Sequence, residues 1–257
     1  MNRIDRLFQE RKNNILSIYF TAGHPEVNST PEILVQLEKS GVNMVEIGMP
    51  FSDPLADGPV IQDSSTKALK NGMNMKLLFD QLKNIRAKVN IPLLLMGYLN
   101  PVLHFGVENF CAMCREAGID GVILPDLPLD EYEQHYKAIF EKYDLRFIFL
   151  ITPQTSDERI RMIDSISKGF IYMVSSSSTT GVKSAIAEKQ LEYFKRIRSM
   201  QLKNPLVIGF GISNKDTFNN ACQYANGAII GSAFVKMLND SQDYAQDIHH
   251  FIQRILA

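Results

Sequence analysis

The sequence predicts an α/β fold, a (β/α)8 TIM barrel carrying an extra N-terminal helix. Three observations lead there. Eight short apolar or β-branched runs alternate with longer stretches of helical periodicity, the order of a chain built from βα units. The short runs are apolar throughout rather than alternating, as expected of parallel strands covered on both faces. The chain has 257 residues, 45% of them hydrophobic, close to the ~250 residues of one closed barrel. The doubly wound open sheet is the competing arrangement, but no Gly-x-Gly-x-x-Gly opens the first helix to support it.

Residues 2–11 read as a polar helix ahead of the first strand, placed to plug the N-terminal end of the barrel. The first strand is expected over 15–20, and the helix after it, 31–39, opens on Pro31 and closes at Gly41. Strands follow at 44–47, 92–96, 121–124, 147–151, 171–174, 206–208 and 228–230. Helical patterns at 76–88, 107–117, 129–141, 156–167, 189–200 and 214–224 lie between them, and 241–256 is a closing helix. No internal repeat, linker or low-complexity tract divides the chain, so 1–257 is expected to form a single domain.

Composition excludes several classes of function. With 27 basic and 28 acidic residues the net charge is −1, which gives no long-range attraction for nucleic acid or an anionic membrane. No apolar run approaches the roughly 18 residues of a membrane span, and the first residues lack the pattern of a secretory signal, so a cytoplasmic protein is expected. Cys111, Cys114 and Cys222 are an odd number in a long chain, which argues against a disulfide framework. Cys111 and Cys114 form a C-x-x-C, but they fall in a helical run with no second ligand pair, and packed helix cysteines are expected. The five histidines, 24, 104, 135, 249 and 250, have no metal-ligand spacing.

The chemistry-bearing stretch is Glu46-Ile-Gly-Met-Pro-Phe-Ser-Asp-Pro-Leu-Ala-Asp-Gly-Pro59. Glu46 lies in a strand expected to be buried on both faces, where desolvation raises a carboxyl pKa toward the range of a working acid or base. It is therefore either catalytic or one half of a structural ion pair. Asp57 sits in a Pro/Gly-rich loop beyond the strand and either serves a site or forms an Asx-type turn before Gly58. Asp53 and Asp63 read as loop and helix-start residues, Asp53 also as a possible interface contact, and Asp126 as a residue behind the site.

In a barrel the loops after the strands share one face, so a site must be assembled from them. Gly209-Phe-Gly-Ile-Ser213 follows the seventh strand and Gly231-Ser-Ala-Phe234 the eighth. Those are the loops that most often hold a phosphate in this architecture, because glycine lets backbone N–H groups approach an oxyanion and a following helix offers its positive end. Thr180 and Gly181, after the sixth strand, would complete such a cradle. Phe20, Met96, Ile123 and Phe210 are candidates to enclose an apolar ring, although apolar residues at strand ends also read as core.

That acidic stretch, together with Thr21-Ala-Gly23, Leu95-Met-Gly-Tyr-Leu-Asn-Pro101, Gly209-Phe-Gly-Ile-Ser213 and Gly231-Ser232, closely resembles the tryptophan synthase alpha subunit family over nearly the whole chain. The resemblance implies a lyase that cleaves indole-3-glycerol phosphate to indole and glyceraldehyde 3-phosphate without metal or organic cofactor. It implies Glu46 as acid/base, Asp57 at the indole N–H and Tyr172 close to both. It also implies that Gly181, Gly211, Gly231 and Ser232 hold the phosphate. The partner it implies is a pyridoxal phosphate-dependent beta subunit in an α2β2 assembly. The loop 51–59 and the segment 175–181 would then couple the two sites.

Two features depart from the family pattern. The run 176–180 is Ser-Ser-Ser-Thr-Thr where the family commonly carries Arg and then a glycine, and His24 stands where an acidic residue is frequent. Two other functions compete with the lyase. Another phosphosugar lyase or isomerase on the same barrel would need a Schiff-base Lys or an electrophilic His at a strand end, and neither stands out. A non-catalytic subunit would keep the phosphate site and activate its partner.

Overall fold

Parallel pairing organises the chain around a sheet that closes on itself. The computed structural model describes residues 1–175 and 183–257, side chains excepted at 183–187. Among the described residues the strand segments are β1 (Ile15–Thr21), β2 (Met44–Gly48), β3 (Leu93–Met96), β4 (Gly121–Ile123), β5 (Arg146–Phe147), β6 (Leu150–Ile151), β7 (Ile171–Val174), β8 (Leu206–Gly209) and β9 (Gly227–Ile230). Their order is β5-β4-β3-β2-β1-β9-β8-β7-β6, all neighbours parallel.

The two ends of that order are pieces of one extended run. Ile148 N–H donates to the Val122 carbonyl and Tyr172 N–H donates to the Phe149 carbonyl, each at 2.9 Å. The fifth strand expected over 147–151 therefore bridges β4 and β7, and eight strands close a barrel. It divides into two short segments because its residues bond to one neighbour at the start and to the other at the end.

Strand alternation sorts the side chains into two cores. One lies between sheet and helices and includes Ile18, Phe20, Val45, Ile47, Leu93, Leu95, Val122, Ile171, Met173 and Ile208. The other fills the barrel with Ile15, Met44, Leu94, Met96, Ile123, Ile148, Phe170, Tyr172, Val207 and Ile229. Both faces are apolar, which is why the strands read as continuous hydrophobic runs.

The N-terminal helix Arg3–Glu10 closes the lower end, as its sequence suggests. The Asn2 side chain caps it by accepting from Ile4 N–H and donates to the carbonyls of Asp120 and Asp144. Ile4 and Phe8 enter the barrel core, with Phe8 5.7 Å from Phe170 between ring centroids. A Cβ at Gly121 would stand 2.8 Å from Ile4 Cδ1, so glycine there admits the plug. Below it, Asp120 pairs with Arg3 and Arg86 and accepts from Leu93 N–H.

Some helices differ from their sequence-based bounds. The pattern over 76–88 becomes the α-helix Met75–Leu82, capped by Asn74, and a short 3-10 turn Ile85–Ala87. The pattern over 129–141 is interrupted by a π turn at Tyr132–Tyr136, where the Tyr132 ring stacks on Phe147 at 4.5 Å. Helices also form at Pro59–Lys70, Leu99–Phe105 and Ser232–Asp240. Cys111 and Cys114 are buried free thiols on the helix Val107–Ala117, their pKa values pushed up by burial.

Candidate active site

The inward face of β2 carries Met44, Glu46 and Gly48, and the register aligns Glu46 with Tyr19 on β1 and Leu94 on β3. Glu46 is 0% exposed. Ser17 Oγ donates to its Oε1 at 3.0 Å, while Oε2 is buried with no hydrogen-bond partner among the described residues. Burial pushes this carboxyl up from 4.5 to about 8, with the Ser17 hydrogen bond pulling the other way. An acid of that strength is mostly protonated at neutral pH yet able to give up its proton near it.

Two tyrosines share the interior with Glu46. Each stands over a glycine: the hydroxyl of Tyr19 occupies the space a side chain at Gly48 would need, and that of Tyr172 does the same at Gly209. Both phenols are held well above their usual range, first by burial and then by the nearby carboxylates of Glu46 and Asp57. Tyr172 thus faces both acidic residues from the opposite side of the barrel.

Asp57 lies in the loop between β2 and the helix Pro59–Lys70, half-buried at the barrel mouth. Burial raises its carboxyl above the usual range, and a hydrogen bond from Tyr98 Oη to Oδ2 at 3.1 Å draws it back. The same Tyr98 oxygen accepts from Ala56 N–H at 3.0 Å, and its ring packs 5.2 Å from that of Phe51. One phenol therefore holds the acidic loop at three points. A cavity bounded by Tyr19, Met49, Phe51, Asp57, Met96 and Tyr98 lies beneath it.

The glycine loops complete the rim. Phe210 and Gly211 both adopt positive φ, +70° and +73°, and Ser175 Oγ donates to the carbonyls of Gly209 and Phe210. That turn brings the Phe210 ring to 6.3 Å from Tyr172, edge-on. Gly231 precedes the helix Ser232–Asp240 and lies beside Tyr19, with 3.5 Å from the position of a Cβ to the tyrosine Cβ. Ser232 is exposed at the first turn of that helix, where backbone N–H groups lack intrahelical partners.

The sequence-predicted residues are thus distributed unevenly. Glu46, Tyr172, Met96 and Ile123 belong to the barrel interior, with Met96 and Ile123 in register. Phe20 requires correction: it is fully buried between sheet and helices and cannot enclose a ligand in the barrel. On β1 the odd-numbered side chains turn inward, so Tyr19 takes the place assigned to Phe20. Thr180 and Gly181 lie outside the described residues. Asp126 accepts from Leu99 N–H through both carboxylate oxygens, fixing the start of the helix Leu99–Phe105 beside Tyr98.

Three residues were not singled out by sequence. Ser17 and Tyr19 interrupt the apolar run of β1 at alternate positions, a signal of which side chains face the site. Tyr98 lies inside the conspicuous stretch 95–101, but nothing local marks its reach to Asp57. His24 is buried in the loop after β1, its imidazole pKa lowered by burial and by Lys67.

A closed parallel barrel with a buried carboxyl inside it and a second carboxylate at its mouth has the architecture of a (β/α)8-barrel protein with its polar groups gathered at one end. The family model described as tryptophan synthase alpha chain matches residues 5–255. The chain belongs to the tryptophan synthase alpha chain family. It is 64% identical over 241 residues to the alpha chain of Flavobacterium psychrophilum, covering 94% of this chain and 95% of that one. It is 59% identical over 257 residues to that of Christiangramia forsetii, covering 100% and 99%. Among solved structures, the tryptophan synthase alpha subunit of Legionella pneumophila superposes with TM-score 0.88 at 33% identity, covering 99% of this chain and 97% of that one. An aminoacrylate-bound tryptophan synthase from M. tuberculosis gives TM-score 0.86 at 28% identity, covering 99% and 98%.

Proposed function

We propose that this chain cleaves indole-3-glycerol phosphate to indole and glyceraldehyde 3-phosphate, with Glu46 as the acid/base and Asp57 as the anion at the indole N–H. The observation that carries this reading is the state of Glu46: buried in the barrel, raised to about 8, and with Oε2 unpartnered among the described residues.

The bond between indole C3 and the glycerol chain breaks slowly until C3 is protonated, because only the indolenium can accept the electron pair. Glu46 gives its proton to C3. The positive charge that develops at the ring nitrogen is stabilised by Asp57, more in the transition state than in the ground state. The Glu46 carboxylate then takes the proton of the side-chain hydroxyl. Its oxygen becomes the aldehyde carbonyl, the carbon–carbon pair returns to the ring, and indole leaves with hydrogen at C3. One carboxyl has lent a proton and recovered one.

Tyr172 lies beside both acids, and Met96, Ile123 and Phe210 are proposed to enclose the ring together with Tyr19. Gly211, Gly231 and Ser232, with Thr180 and Gly181, are proposed to hold the phosphate through backbone N–H groups and the helix start. These steps call on side chains and backbone alone; pyridoxal phosphate is assigned to the partner beta subunit. Indole is small and apolar, so direct transfer to that subunit in an α2β2 complex, in the cytoplasm, has physical value. Leu55 and Leu103, 89% and 48% exposed, offer apolar surface for that docking on the acidic loop and the helix Leu99–Phe105. Among the described residues no helix is long and apolar enough to cross a membrane.

The test is indole release from indole-3-glycerol phosphate by the isolated chain, its Glu46→Gln variant and its Asp57→Asn variant. Glu46→Gln is expected to lose turnover while still folding and binding a phosphate ligand. Asp57→Asn is expected to lose mainly kcat. Equal turnover in Glu46→Gln removes the acid/base assignment, and an unchanged rate in Asp57→Asn removes that residue from the mechanism.

A further inference from the structure

Ser17 is fully buried on the inward face of β1, two residues before Tyr19 on the same face. Its surroundings are apolar: β1 pairs it with Met44 on one side and Ile229 on the other, and Ile15 and Val207 fill the same interior. A hydroxyl in such a place is costly unless it is bonded. Its partner is Glu46 Oε1, at 3.0 Å. The other oxygen, Oε2, has none among the described residues. The two oxygens of one carboxyl are therefore chemically distinct before any substrate arrives.

We propose that Ser17 is a positioning residue for the cleavage: its hydroxyl occupies Oε1 of Glu46 and thereby reserves Oε2 as the oxygen that carries the proton to and from substrate. In the protonated acid, Oε1 accepts from Ser17 as the carbonyl oxygen and the acidic hydrogen resides on Oε2. In the carboxylate, the same hydrogen bond persists and strengthens, because its acceptor is now charged. The hydroxyl thus opposes rotation of the carboxyl between the two proton transfers, and it favours the ionised form needed for the second. The inference rests on the acid/base reading of Glu46.

The groups that face Glu46 fix how pH enters. Tyr19 from β1 and Tyr172 from β7 lie near it, each also within reach of Asp57 from the loop after β2, and Leu94 of β3 is its apolar register neighbour. The tyrosines stay neutral through the working range, since both are held above their usual values. Asp57, raised by burial against the Tyr98 hydrogen bond, acts as an anion, so its protonation shapes the acid side of a rate profile. The basic side belongs to Glu46, which must start protonated.

The experiment compares kcat and KM for indole-3-glycerol phosphate across pH in the wild-type chain, Ser17→Ala and the nearly isosteric Ser17→Cys. Loss of the hydroxyl donor is expected to move the basic limb of kcat/KM upward by about one pH unit. It is also expected to lower kcat about ten- to a hundredfold with KM nearly unchanged, since the carboxyl is no longer fixed. A hydroxyl that merely fills space would change the melting temperature and leave the limb where it is. If both variants fold and keep the wild-type profile while Glu46→Gln is inactive, the assignment of Ser17 is overturned and the acid/base reading stands. If Glu46→Gln turns over normally, both fall. Should Ser17→Ala not fold, the same two readouts on Ser17→Cys decide.

Discussion

Replacing Tyr98 by Phe removes one oxygen and leaves the ring on Phe51, so the perturbation is confined to the latch on the acidic loop. That oxygen donates to Asp57 Oδ2 at 3.1 Å and accepts from Ala56 N–H at 3.0 Å. A hydrogen bond to a charged group contributes about 1.5–3 kcal/mol. If that energy is realised when Asp57 meets the developing positive charge, its loss lowers kcat about ten- to a hundredfold. The pH dependence gives a second, signed readout. The Tyr98 donor pulls the Asp57 carboxyl down against the upward push of burial, so Tyr98→Phe raises it further. Asp57 acts as an anion, and the variant is therefore most impaired at the acid end of the profile and recovers partly as pH rises. Steady-state indole release measured across pH decides the matter. Wild-type kcat with an unmoved acid limb would refute the latch.

Other consequences concern Glu46 and the phosphate rim. In the native chain Glu46 titrates near 8 against 4.5 when unfolded, so the folded state holds the extra proton across that window. The associated stability is fully present below 4.5 and is lost as pH rises through about 8. The neutral Glu46→Gln variant is spared that loss and should gain on the wild type by about 2–5 kcal/mol across the window, the lower figure where water relaxes around the carboxylate; parallel urea-denaturation midpoints at every pH would contradict it. Gly211 has φ +73°, and a Cβ there would meet only Ser175 Oγ at 3.7 Å, so Gly211→Ala is strained by its backbone rather than by collision. That strain is about 1 kcal/mol, and the variant should fold yet bind inorganic phosphate and substrate more weakly; an unchanged KM would take Gly211 out of the phosphate cradle.

Much of the fold was legible because barrel strands are buried on both faces. The eight apolar runs are visible for that reason, and the plug helix is visible because Asn2 and its polar, periodic neighbours precede the first run. The same double burial hides the phase of each strand. Phe20 and Tyr19 are both large and aromatic, and only the odd-numbered series Ser17, Tyr19 and Thr21 shows which faces inward. Glu46 was legible from chemistry, as a carboxyl in a strand with no reason to be polar. The support of Asp57 was not, since Tyr98 is 41 residues away and is brought to it by the parallel pairing of β2 with β3. The interrupted helix at Tyr132–Tyr136 was equally hidden, because the aromatic stack on Phe147 depends on a strand formed later in the chain.

Burial holds Glu46 as a carboxylic acid that is mostly protonated at neutral pH inside the barrel. Infrared difference spectroscopy of the wild-type chain against Glu46→Gln isolates that group. A protonated carboxyl band is expected at pH 7, disappearing with a midpoint near 8. A carboxylate already ionised at pH 6, titrating near the ordinary 4.5, would contradict it.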